Sequence, residues 1–232
     1  MTDIPTTDNP TDPRRCGFVA LIGAPNSGKS TLTNALVGAK VSIVTHKAQT
    51  TRGPVRGIVL AGDAQVILVD TPGIFQPKRR LDRAMSQAAW DRAGDADMVA
   101  LVVDAARGLD DKLAPIVEHL PELNRPVIAV LNKVDLVNKP ELLKLTSELI
   151  ELKAFAENFM VSALTGDGVD DLRDYLASAV AEGPWLFPED QLSDASLRQT
   201  AAEITREKLF LRLHEELPYA LTVESTCLLY TS

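Results

Sequence analysis

Gly23-Ala24-Pro25-Asn26-Ser27-Gly28-Lys29-Ser30 has the form G-x-x-x-x-G-K-[ST], with Thr31 opening a helical pattern directly behind it. Glycine lacks a Cβ, so successive backbone N–H groups there can turn inward onto phosphate oxygens. The Lys29 ammonium can reach β- and γ-phosphates, and the Ser30 hydroxyl can ligate Mg²⁺. The apolar run 18–22 before the loop reads as a strand. The helix after it aims its positive end at the same anion. That flanking context separates a phosphate-cradling loop from a chance match.

A second chemical stretch, Asp70-Thr71-Pro72-Gly73, follows the apolar run 66–69. An Asp at the carboxyl end of a buried strand, across from Ser30, stands where a Mg²⁺ shell needs a carboxylate. Gly73 lets a backbone N–H approach a γ-phosphate with no side chain in the way. Taken alone this stretch could be a simple turn. The third, Asn132-Lys133-Val134-Asp135, also follows an apolar run. Guanine presents N1–H and an N2 amine side by side, and one carboxylate, Asp135, can accept from both. Adenine would leave that charge facing an acceptor, a penalty of several kcal/mol. Asn132 is expected to tie this loop to the phosphate loop and touch the base, with the Lys133 stem packed over the base face. In Ser162-Ala163-Leu164, the Ala163 amide is placed to donate to O6. The ligand set read from these residues is GTP or GDP with Mg²⁺.

The elements that position these loops alternate. Strands are predicted at 16–22, 55–60, 65–69, 98–103, 126–131 and 158–161, and helices at 31–37, 84–93, 112–120, 141–154 and 169–180. Alternation of this kind specifies an α/β, mostly parallel six-stranded sheet with helices on both faces, the P-loop (Ras-like) arrangement. The short connection 61–64 makes the 55–60 and 65–69 strands an antiparallel hairpin. All four loops leave the carboxyl ends of strands, where such sheets bind ligands. Residues 40–54 have neither helix nor strand pattern, and the basic stretch 76–83 is expected to be mobile.

The 232 residues carry a net charge of −8 and only two cysteines, Cys16 and Cys227. The charge argues against a surface that binds nucleic acid all over, and no DNA partner is expected. The cysteine content suits a reducing, cytoplasmic setting. No apolar stretch approaches the ~20 residues of a membrane span, and the first 15 residues read as a disordered leader rather than a signal peptide.

Together the four loops resemble those of the translation-factor-related GTPases, and more narrowly of the Era type. Ala48-Gln49-Thr50-Thr51-Arg52 resembles that family's switch I, and Asp70 to Phe75 its switch II. Pro184-Trp185-Leu186-Phe187-Pro188-Glu189-Asp190-Gln191 resembles its linker into a KH domain, and Ala201 to Leu209 that domain's opening helix. The resemblance implies a leader at 1–15, a GTP-binding domain at 16–182, a linker at 183–196 and an incomplete KH-type domain at 197–224. Residues 225–232 depart from the family's pattern. The G-x-x-G loop that grips RNA backbone has no counterpart before Ser232, and residues 197–216 balance four basic against four acidic side chains. The implied role is a cytoplasmic GTPase of small-ribosomal-subunit assembly, contacting the 3′ end of its rRNA and peripherally associated with membrane.

For hydrolysis, Lys29 and the loop amides neutralise charge. Ser30 and Thr51 are expected to hold Mg²⁺, with Thr50 as the alternative to Thr51 and Asp70 acting through water. Gly73 is followed by Ile74. An apolar side chain cannot orient water by hydrogen bonding, so intrinsic turnover is expected to be slow. Asn26 is a candidate to help hold K⁺ beside the phosphates. The competing reading is a non-catalytic, GTP-dependent module that presents its switch loops to a ribosomal partner.

Overall fold

The computed structural model describes residues 14–44, 55–74, 80–110, 113–213 and 221–225. Its centre is one six-stranded sheet in the order β2-β3-β1-β4-β5-β6. The strands are β1 (Arg15–Ile22), β2 (Val55–Ala61), β3 (Ala64–Asp70), β4 (Met98–Asp104), β5 (Val127–Asn132) and β6 (Asn158–Val161). β2 and β3 pair antiparallel from Val55↔Asp70 to Ala61↔Ala64, and every other pairing is parallel. β3, β4 and β5 are buried at every position, which is why they read as unbroken apolar runs rather than alternating ones.

The helices are α1 (Lys29–Val37), α2 (Arg80–Asp95), α3 (Ala114–His119), α4 (Lys139–Glu151), α5 (Val169–Ala179) and α6 (Leu197–Arg212). Alternate strand residues feed two separate cores. Val19, Leu21, Val66 and Leu68 pack with Leu32 and Leu36 of α1 and with Leu172 and Leu176 of α5. Ala20, Ile22, Val99 and Leu101 pack with Ala89 and Ala93 of α2, Ile116 of α3 and Leu145 and Leu149 of α4. Helices thus cover both faces, as expected. The strand order reverses between β1 and β4, so a crevice opens at their carboxyl ends.

Several boundaries differ from the sequence reading. Arg15, placed in the leader, is the first residue of β1 and pairs with Ala64, and the Arg14 guanidinium lies 4.8 Å over the Trp185 ring. Residues 80–83, expected to be mobile, form the first turn of α2, because Met85, Ala89 and Ala93 bury one helical face and hold the helix on the sheet. Residues 76–79 lie outside the described residues. α3 is shorter than 112–120, since Pro121 tightens the chain into a 3₁₀ turn at Leu120–Leu123. α4 begins at Lys139 because the Asn138 side chain accepts the Glu141 N–H and caps it.

The stretch 183–196 is not a free tether. Gln65, fully buried, accepts the N–H groups of Leu186 (2.8 Å) and Phe187 (3.0 Å) at Oε1 and donates from Nε2 to the Phe187 carbonyl (2.8 Å). Further on, the Ile58 N–H donates to the Leu192 carbonyl, and Arg56 pairs with Asp194. The segment therefore covers the exposed edge of β2, which would otherwise present unpaired backbone groups. α6 follows behind a Ser196–Gln199 capping box.

Candidate functional site

The four loops singled out from sequence meet at the carboxyl end of the sheet. β1 delivers Gly23, Ala24, Pro25, Asn26, Ser27 and Gly28, and α1 starts at Lys29 with Ser30 and Thr31 in its first turn. Gly28 is at φ 97°, and a Cβ there would fall 2.1 Å from Asn132 Nδ2, so no other residue fits without moving the base-reading loop. Lys29 is 6% exposed, with Nζ donating to the carbonyls of Gly23 (3.0 Å) and Ala24 (2.9 Å). Burial pushes its pKa down to about 8, and the negative charge of the fully buried Asp70 opposes that fall. The Ser27 hydroxyl is buried and makes no hydrogen bond among the described residues. A buried ammonium and an unsatisfied hydroxyl on the phosphate loop, with a buried carboxylate at the end of β3, form a polar cradle with no apolar purpose.

β3 ends at Asp70, and the chain then runs against the phosphate loop. The Ile74 N–H donates to the Gly23 carbonyl (3.0 Å), while a Cβ on Gly73 would lie 2.8 Å from Pro25 Cα and N. Gly73 is thus needed for contact between the two loops. Ile74 is 7% exposed and packs into the α2 core, so its side chain faces away from solvent. Thr71 is expected from the sequence as a nucleotide contact. Its side chain is fully buried and its hydroxyl donates to the Leu21 carbonyl (2.7 Å), fastening β3 to β1. Pro72 is buried beside it. Thr50 and Thr51 lie outside the described residues.

The base-reading loop joins the others through Asn132. Its Nδ2 donates to the Ser27 carbonyl (2.9 Å), which is the tie expected, and its Oδ1 accepts the Ala163 N–H (3.0 Å). That second bond engages the very amide aimed at O6 in the sequence reading, so in this structure Ala163 serves loop closure. Lys133, at φ 67°, donates from Nζ to the Asn26 carbonyl (2.7 Å) and to Asp104 Oδ2 (2.6 Å). Asp135 lies in a 3₁₀ turn, exposed, and Oδ1 accepts the Ser162 hydroxyl (2.5 Å). Ser162 is fully buried, and its hydroxyl fixes the position of the Asp135 carboxylate. Leu164 is 81% exposed at the mouth.

Sequence reasoning missed the parts played by Asp104 and Ser162. Register would have exposed the first, because Asp104 and Asn132 are direct partners across β4 and β5.

A phosphate loop at the sheet's switch point, facing a carboxylate-bearing base loop, defines a P-loop GTPase, and the family model for the 50S ribosome-binding GTPases matches residues 18–133. The chain is 58% identical over 231 residues to the GTPase Era of Rhizobium meliloti (strain 1021), covering 97% of itself and 74% of that protein. It is 62% identical over 213 residues to the GTPase Era of Afipia carboxidovorans, covering 92% and 69%. A crystal structure of Era in complex with MgGDPNP and nucleotides 1506–1542 of 16S ribosomal RNA superposes with a TM-score of 0.84 at 39% identity, over 89% of this chain and 70% of that one. A single-substitution variant of Aquifex aeolicus Era bound to GDP·AlF4⁻ superposes with a TM-score of 0.83 at 40% identity, over 88% and 70%. The chain belongs to the Era GTPases and hydrolyses GTP.

Proposed function

We propose that this chain is a GTP-driven switch in assembly of the small ribosomal subunit, acting on its rRNA. The observation that carries the nucleotide part is the Asn132 side chain, which ties the phosphate loop and the Ala163 loop into one rigid pocket beside Asp135. The support for the RNA part is the related Era structure, which holds nucleotides 1506–1542 of 16S rRNA.

Lys29 and backbone N–H groups of the phosphate loop take up phosphate charge, and Lys29 gives up its two carbonyl partners to do so. The oxygens of Ser30, Asp70 and Thr51 suit Mg²⁺, a hard cation that keeps water and phosphate in its shell. When bound, Mg²⁺ neutralises charge developing between the β- and γ-phosphates. Ser30 lies in the first turn of α1, and Asp70 is a fully buried carboxylate whose charge Lys29 feels, so both stand at the phosphate end of the cradle. Potassium is the finer proposal. The main-chain oxygen of Asn26 is taken by Lys133, so K⁺ there would rest on the Asn26 side-chain oxygen. If Asn26→Ala keeps the wild-type preference of hydrolysis for K⁺ over Na⁺, a potassium site on Asn26 is excluded.

We place α6 as the opening helix of a KH-type unit, on the resemblance of residues 201–209. The cytoplasm, at or near the inner membrane face, is the proposed site of action, and cell fractionation tests it. No described helix is long and apolar enough to cross a membrane.

Calorimetry of GTP and ATP binding tests the pocket. Wild type should take GTP alone, and Asp135→Asn should lose GTP and gain xanthine nucleotide, because the exchanged amide matches xanthine's carbonyl. Equal affinity for GTP and ATP would sink the base assignment. The reading as a non-catalytic module is separated by multiple-turnover assays with small subunits added, where the switch reading expects sustained phosphate release.

A further inference from the structure

Asp104 ends β4, outside the four loops, and its side chain is 9% exposed. One carboxylate oxygen accepts the Ala106 N–H (3.1 Å) and so caps the turn that follows. The other receives the Lys133 ammonium at 2.6 Å. The same ammonium reaches the Asn26 carbonyl of the phosphate loop at 2.7 Å. Lys133 makes these contacts from a left-handed backbone, φ 67°, which costs a side-chain-bearing residue about 1 kcal/mol or more. A conformation of that kind persists only where the surroundings over-determine it.

We propose that Asp104 is a positioning residue for nucleotide binding. It holds Lys133 in its left-handed pose, so that the lysine stem is presented to the base while its ammonium locks the base-reading loop to the phosphate loop. Arg107 Nε approaches the same carboxylate oxygen at 3.5 Å, a longer and more exposed contact that competes weakly. Charge-assisted hydrogen bonds at about 2.7 Å are the strong class, and the Lys133 pair is the one that reaches the pocket.

The inference rests on the guanine-nucleotide reading, and its test separates the two. Release of a fluorescent GDP analogue is followed in the 232-residue chain for wild type, Asp104→Asn, Lys133→Met and the double variant. Asp104→Asn keeps an acceptor for Ala106 but removes the charge facing Lys133. It should release the analogue about tenfold faster than wild type. The double variant should release no faster than Lys133→Met alone, since a purely structural Asp104 would instead give effects that multiply. Arg107→Ala should match wild type. Wild-type release from Asp104→Asn, or multiplying effects in the double variant, overturns the proposal while leaving the pocket intact. A wild type that binds no analogue overturns both. To guard against a variant that fails to fold, the Lys133 ammonium is observed directly by ¹⁵N NMR in the GDP-bound wild type. A slowly exchanging ammonium signal, absent from Lys133→Met, is expected, and its absence from wild type rejects the ion pair.

Discussion

Lys29 carries its charge where charge is costly. Burial lowers its pKa to about 8 against the ordinary 10.5, with Asp70 resisting the fall. Between those two values the unfolded chain binds more protons than the folded one, so this residue's contribution to stability rises with pH across that window. Nucleotide reverses the sign, because phosphate favours the ammonium. GDP binding should therefore take up about half a proton at pH 8 and nearly a whole one a unit higher, and affinity should fall as pH rises through 8. Calorimetry in two buffers of different ionisation enthalpy reads the uptake; a zero value at pH 9 would refute the depressed lysine. Ser162 is a second residue-scale case. Removing its hydroxyl in Ser162→Ala leaves Asp135 without its 2.5 Å donor and should weaken GDP about fivefold, read by equilibrium titration, with melting temperature little changed.

At the scale of elements, the contact between loops decides whether they act together. Gly73 meets Pro25 backbone, so Gly73→Ala must push β3's end and the phosphate loop apart. Hydrolysis should fall more than tenfold, because an ångström of misplacement in a pre-organised site costs that much or more. Single-turnover phosphate release checks it. The segment 183–196 depends likewise on Gln65. Gln65→Ala strands the Leu186 and Phe187 amides and should cost about 2 kcal/mol in urea unfolding, with faster proteolysis of that segment. α6 is anchored by Glu207, 4% exposed, which accepts the Val44 N–H (3.0 Å) and pairs with Lys40. Burial raises the Glu207 pKa, but the bonds from Lys40 and Val44 and the charges of Lys40 and Lys208 outweigh it and hold the carboxyl below its ordinary 4.5. The anchoring is thus complete above that value and lost as pH falls through the lower folded one. Hydrogen exchange in α6 should rise in Glu207→Gln at neutral pH.

For the molecule as a whole, a net charge of −8 sets the terms of any RNA contact. A net negative charge of this size opposes a polyanion, so binding to an oligonucleotide of 16S nucleotides 1506–1542 should rest on few phosphate contacts, with a salt slope no steeper than about −3. A markedly steeper slope would reveal a basic face that the formal charge hides. The nucleotide loops, the antiparallel hairpin and the two-faced α/β plan were legible in the sequence. Each depends on local rules: glycines where a Cβ cannot fit, carboxylates at strand ends, and unbroken apolar runs where both faces of a strand are covered. Other features were decided only in three dimensions. Thr71 turned to the Leu21 carbonyl, the Ala163 amide to Asn132, Asp104 to Lys133, and the segment 183–196 lay down on Gln65. In each case a polar group found a partner far away in the chain, and the need to satisfy a buried donor or acceptor chooses that partner by packing, which no local pattern encodes.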